Sequence, residues 1–73
     1  MATPYDNRMA HAAEAHIHSA MAAPHRKELE LTQAENYARL IADPSLKRQI
    51  LEGIRLARLG QPPDTLEGRW RLD

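Results

Sequence analysis

The chain has 73 residues, ten basic and ten acidic side chains that cancel in net charge, and no cysteine. The cancelled charge gives no overall field that would attract nucleic acid or an anionic membrane. The lack of cysteine excludes disulfides and thiolate metal sites, which suits a protein of the reducing cytoplasm. A chain of this length buries only about 60% of its unfolded surface, so we expect one small domain of marginal stability.

The first predicted element is a helix over about residues 4–22. Thr3 is placed as its N-cap, Pro4 as its first residue and Asp6 as the acid of a capping box. The helix should end near Pro24, because proline disfavours helical geometry in the residue before it. Its many alanines favour helix but bury little apolar surface.

Two further helices are predicted beyond a polar connector at residues 24–31 that can itself be helical. Thr32 and Glu35 have the spacing of a second capping box, which predicts a helix over about residues 33–42. Asp43 and Pro44 then begin a third helix over about residues 44–59, which Gly60 ends. The sequence therefore predicts an all-α, three-helix domain over residues 1–60. Residues 61–73, with two adjacent prolines and no periodicity, are expected to form an extended or disordered tail.

The third predicted helix has apolar residues on two sides. Its main apolar stripe, with Gly53 on the same side and Leu51 at its margin, should pack on the second helix. The stripe consists of Leu46, Ile50, Ile54 and Ala57. Leu56 and Leu59 point to roughly the opposite side, near Arg48 and Arg55. Either the first helix covers these two leucines, as in a plain bundle, or a partner protein covers them with the arginines at the rim.

The stretch over about residues 35–60 resembles the C-terminal half of Phd/YefM-type antitoxins. The similarity consists of an apolar pair before a proline, then an apolar run ending in glycine: Leu40, Ile41, Pro44, Ile50, Leu51, Glu52, Gly53, Ile54 and Gly60. The family's later leucine falls on Ala57, with Leu56 displaced by one position. Family members also have an N-terminal DNA-binding domain, which the first 33 residues here do not match.

This resemblance implies a segment that neutralises a toxin by laying an amphipathic helix into a groove of the toxin. We therefore expect a small protein-binding modulator without catalytic activity or a cofactor, and most specifically an antitoxin-like inhibitor of a partner enzyme. Trp70, the largest apolar side chain of the tail, can serve as an anchor or fold back on the helices. The predicted contact residues are Ile50, Ile54, Leu56, Leu59, Arg55, Arg58 and Trp70.

Three alternatives remain open from the sequence. Five basic side chains on the second and third helices suggest a nucleic-acid-binding module: Arg39, Lys47, Arg48, Arg55 and Arg58. A homo-oligomeric bundle would also hide the second apolar side. His11, Glu14 and His18 project from one side of the first helix and form a weak metal-site candidate, because no fourth ligand is evident. His16 falls on the apolar side of that helix and is expected to be packed.

Overall fold

The structure is a computed structural model that describes residues 1–60 of the chain. Three α-helices follow one another in these residues, and no strand is found among them. They are α1 (Pro4–Ala22), α2 (Lys27–Arg39) and α3 (Pro44–Arg58), with a 3₁₀ turn at Pro24–Arg26. The predicted all-α, three-helix fold is therefore confirmed. The predicted tail at residues 61–73 lies outside the described residues.

Helix α1 begins as its sequence predicts. The Thr3 hydroxyl accepts a hydrogen bond from the Asp6 N–H at 3.0 Å, and the Asp6 carboxylate accepts one from the Thr3 N–H at 3.3 Å. The capping box therefore satisfies two backbone donors that the first helical turn leaves free. Helix α3 begins with a single side-chain cap, in which the Asp43 carboxylate accepts from the Leu46 N–H at 2.9 Å. At its far end Gly60 has a φ of 80°, a left-handed conformation that favours glycine.

Helix α2 corrects one prediction: Thr32 lies inside this helix and does not cap it. The 3₁₀ turn leads directly into a helix that begins at Lys27, with no side-chain cap. The segment from Lys27 to Leu31 consists of strong helix formers, and Leu31 is fully buried in the core. Burial of Leu31 therefore stabilises an early start, and tertiary packing outweighs the local capping pattern at Thr32.

The other end of α2 stops at Arg39, before the predicted residue 42, and the chain continues in a tighter turn in which the N–H groups of residues 40 and 41 donate to carbonyls three residues back. The Ala42 N–H donates to the carboxylate of Asp6, at 3.0 Å, and not to a carbonyl of its own helix. Residues 40–43 then form a tight corner between α2 and α3. Asp6 is buried although it is charged, and the donated N–H groups of Ala42 and Thr3 compensate for its lost hydration.

The three helices pack on one another around a small core of leucine, isoleucine and alanine. Contacts between Asp6 and Ala42 and between His16 and Glu30 show that α1 and α2 are antiparallel. Arg58 contacts Glu28 and Glu35, so α3 returns antiparallel to α2. The predicted inner stripe of α3 is buried in full: Leu46, Ile50, Gly53, Ile54 and Ala57. The stripe packs on α1 as well as on α2, because alanines on both helices allow close approach.

Within residues 1–60, no helix is both long enough and apolar enough to cross a lipid bilayer.

Candidate functional site

The side of α3 that points away from the core is partly apolar and remains open to solvent. Leu51 and Leu59 are 43% and 64% exposed, and Arg55 lies between them at four-residue spacing. Residues four apart lie above one another on a helix, so these three side chains form a row about 12 Å long. Lys47, four residues before Leu51, continues the row, and Arg48 and Glu52 lie beside it. We call these six residues the outer face of α3.

The outer face meets the α2–α3 corner in an open depression. Ala42 and Pro44 line this depression together with Lys47, Arg48, Leu51, Glu52 and Arg55. The apolar part of its surface comes from Ala42, Pro44 and Leu51, and the basic side chains stand around them. This arrangement can receive an apolar side chain at the centre and acidic groups at the rim.

Some of the basic side chains of α3 form ion pairs with glutamates. The Arg55 guanidinium donates from Nε to both carboxylate oxygens of Glu52, at 2.9 and 3.1 Å, and this pairing raises the pKa of Arg55. Arg58 donates to Glu35 at 3.0 Å and to Glu28 at 3.3 Å, and Glu35 has the larger effect in raising its pKa. Lys47 and Arg48, by contrast, have no ion-pair partner among residues 1–60.

The structure divides the predicted contact residues into accessible and inaccessible ones. Ile50 and Ile54 are 0% and 2% exposed and belong to the core, so they are not accessible to a partner in this fold. This corrects the predicted contact surface: the two isoleucines fill the space between the helices, where apolar side chains are most stabilised. Leu59 and Arg55 are exposed. Trp70 lies outside the described residues.

Leu56 and Leu51 differ from what helical periodicity alone suggested. Leu56 is half-buried and packs against the core, so the chain itself covers this leucine. Leu51, which the sequence placed at the margin of the inner stripe, is exposed instead. Leu51 lies between the inner and outer sides of the helix, so its burial depends on the angle at which α3 crosses α2. Helical periodicity does not determine that angle.

The histidines of α1 do not come together as a metal site. The His11 Nδ1 lies 4.0 Å from the Glu14 carboxylate, one turn away on the exposed side of the helix. Among residues 1–60, no group of three or more histidine and carboxylate side chains is placed to hold a metal ion.

His16 is packed, as expected, but its contacts are with α2. Its Nδ1 lies 2.7 Å from a carboxylate oxygen of Glu30, and its ring stacks on Tyr37 with the centroids 5.6 Å apart. Glu30 also pairs with Arg26 at 3.3 Å. These contacts join α1 to α2.

The five basic side chains of the nucleic-acid alternative do not form one free cationic patch. Arg55 and Arg58 are held by carboxylates, and Arg39 donates to the Asn36 side chain at 2.9 Å. A phosphate would have to displace a carboxylate from each of the two paired arginines. Lys47 and Arg48 therefore carry most of the remaining cationic character of this region.

No family model matches this chain, and neither does any curated protein or solved structure with which it was compared. The resemblance to Phd/YefM-type antitoxins therefore stays a prediction from the sequence.

Proposed function

We propose that this chain is a protein-binding modulator, and more specifically an antitoxin-like inhibitor, that docks the outer face of α3 onto a partner enzyme. One observation carries the proposal: Leu51 and Leu59 remain exposed on a helix whose opposite side is sealed in the core. A helix that binds in a groove of its partner presents apolar side chains that recur along one side of the helix, with arginines around them.

The packing of the core supports a helix that is already formed before it binds. The inner stripe and both ends of α3 are held by contacts within residues 1–60, through Asp43 at the first turn and Arg58 at the last. A preformed helix loses less conformational entropy on binding than a segment that must fold. The proposal thus differs from the sequence-based expectation in placing the contact on Leu51, Leu59 and Arg55 and leaving Ile50 and Ile54 in the core.

The test is a growth-rescue assay with the product of the neighbouring reading frame. That product is expressed alone and together with this chain, in a host whose growth it arrests, and purified proteins are then used to measure the dissociation constant. We expect the chain to restore growth and the double variant Leu51→Glu/Leu59→Glu to fail. Loss of two interface anchors should weaken binding by about 30-fold or more.

The control is Leu29→Glu, which places one glutamate on a leucine of α2 that is 54% exposed, a value between those of Leu51 and Leu59. This variant should rescue growth as the unmodified chain does. Equal behaviour of the control and the double variant would contradict docking through α3. A neighbouring product that neither arrests growth nor binds the chain would contradict the antitoxin form of the proposal.

A further inference from the structure

The charge of the outer face of α3 indicates what kind of surface can meet it. Three of its six residues are basic and one is acidic, and Glu52 is already engaged with Arg55. Lys47 and Arg48 stand at the rim of the apolar centre and have no ion-pair partner among residues 1–60. An occupant that buries Leu51 would bring its own side chains close to these two cations.

We propose that the occupant of this face is an acidic amphipathic helix of a partner protein. Its apolar side would contact Leu51 and Leu59, and its Asp or Glu side chains would pair with Lys47 and Arg48. This inference rests on the proposed function and adds the chemistry of the partner. Opposite charges at the rim mainly raise the association rate and exclude partners of the wrong charge.

Two other occupants fit the same observations less well. A second copy of the chain, related by a two-fold axis, would place the basic side chains of one face near those of the other, and like charges repel. Nucleic acid would set phosphates against two exposed leucines and against Glu52. With Arg55 and Arg58 held by carboxylates, few cations remain for the phosphate contacts on which such binding depends.

The experiment is a selection from a displayed library of helical peptides on the full-length chain. The docking positions of the peptides are randomised among leucine, alanine, glutamine, glutamate and lysine, so the library has no built-in charge preference. Three targets are used in parallel: the unmodified chain, Lys47→Glu/Arg48→Glu and Leu51→Glu/Leu59→Glu. Arg48, Leu51 and Leu59 are exposed and Lys47 is half-buried, so circular dichroism melts check that the variants fold alike.

We expect the unmodified chain to enrich peptides with leucine and glutamate, and the charge-reversed variant to enrich leucine and lysine. A synthesised glutamate-rich peptide should bind the unmodified chain at least about tenfold more tightly than the charge-reversed variant at low salt. The leucine double variant should enrich neither class. Absence of any enrichment, or equal enrichment of glutamate and lysine on the unmodified chain, would overturn the inference.

Three further measurements test whether something other than an acidic helix occupies the outer face of α3. Each result named here would overturn the acidic-helix proposal. One is a dimer in sedimentation that Leu51→Glu/Leu59→Glu dissociates. Another is binding to a duplex DNA probe that falls steeply with salt and is lost in Lys47→Glu/Arg48→Glu. The third is a Trp70→Ala variant that binds the selected peptide at least about tenfold more tightly, which would identify residues 61–73 as the occupant.

A negative result in the peptide selection can be distinguished from a negative result in the growth-rescue assay. If rescue depends on Leu51 and Leu59 but the selection shows no preference for acidic peptides, the proposed function stands and the acidic partner does not. If acidic peptides bind through these leucines but the chain has no effect on the neighbouring product, the docking chemistry stands and the inhibitor function does not.

Discussion

The inner and outer faces of α3 both contain large aliphatic side chains, but these side chains lie in opposite environments. Ile50 is fully buried, whereas Leu51, its neighbour in the chain, is 43% exposed. A rotation of about 100° around the helix separates the two residues. The difference teaches that the leucines of the outer face are not needed to close the core, so they can be changed to test binding without much effect on folding.

The largest effect expected is on the inner face. Ile50→Ala should lower the free energy of unfolding by about 2–5 kcal/mol, because it removes buried methyl groups and leaves a cavity. For a domain this small, that is most of the stability available. Urea unfolding followed by circular dichroism measures the change.

The matched control is Leu51→Ala, which should change the free energy of unfolding by no more than about 0.5 kcal/mol. Equal losses at the two positions would mean that the outer face is also covered in the folded chain, and the comparison between the faces would fail.

An intermediate effect is expected at Asp6, which joins the start of α1 to the corner where α3 begins. The backbone N–H of Ala42, and secondarily that of Thr3, hold the pKa of this carboxyl below its ordinary value despite its burial. The folded state therefore binds the proton less readily than the unfolded chain does. Its contribution to stability is complete above the unfolded pKa of about 3.9 and is lost as the pH falls through the lower folded value.

Asp6→Asn should lower the melting temperature at neutral pH by about 5–10 °C, because the amide cannot accept all the hydrogen bonds of a carboxylate. Below about pH 4 the unmodified chain should lose stability more steeply than the variant. Asp43 also has a lowered pKa, owing first to the Leu46 N–H and then to the N-terminal ammonium, and it remains in both proteins as an internal reference. Parallel pH profiles for the two proteins would contradict the assignment to Asp6.

The smallest effect is expected at Arg58, at the last turn of α3. Its pairs with Glu35 and Glu28 lie at the surface, with the Arg58 side chain 37% exposed, so solvent screens them. Arg58→Ala should lower the free energy of unfolding by about 0.5 kcal/mol or less, and high salt should reduce the difference further. Thermal melts at low and high salt measure it. A loss of stability comparable to that of Ile50→Ala would show that this end of α3 stabilises the bundle as much as the buried inner face does.

Local patterns in the sequence predicted those parts of the fold that local interactions decide. The caps at Thr3 and Asp43, the stop at Gly60 and the inner stripe of α3 depend on residues within a few positions of one another. The start of α2 was missed because burial of Leu31 against other helices outweighs the cap pattern at Thr32. The bond from Ala42 to Asp6 joins residues 36 positions apart, and helical periodicity cannot predict such a long-range contact.

The exposure of the candidate contact residues was predicted in part for the same reason. The sequence indicated that Leu59 and Arg55 lie away from the main stripe, and both are exposed in the structure. It also assigned Ile50 and Ile54 to the contact surface, although their place in the stripe made them core residues. Leu51 could have been found only from the packing angle of α3 on its neighbours, which the amino-acid pattern does not specify.

The bond between Ala42 and Asp6 makes one backbone amide a reporter of the contact between the start of α1 and the α2–α3 corner. This N–H is protected only while the beginning of α1 and the corner before α3 are held together. Because Asp6 lies in the first turn of α1, either opening of that turn or separation of α1 from the other two helices would expose the amide. In native-state hydrogen exchange, the exchange rate of the Ala42 amide should therefore measure how often the start of α1 leaves the corner before α3.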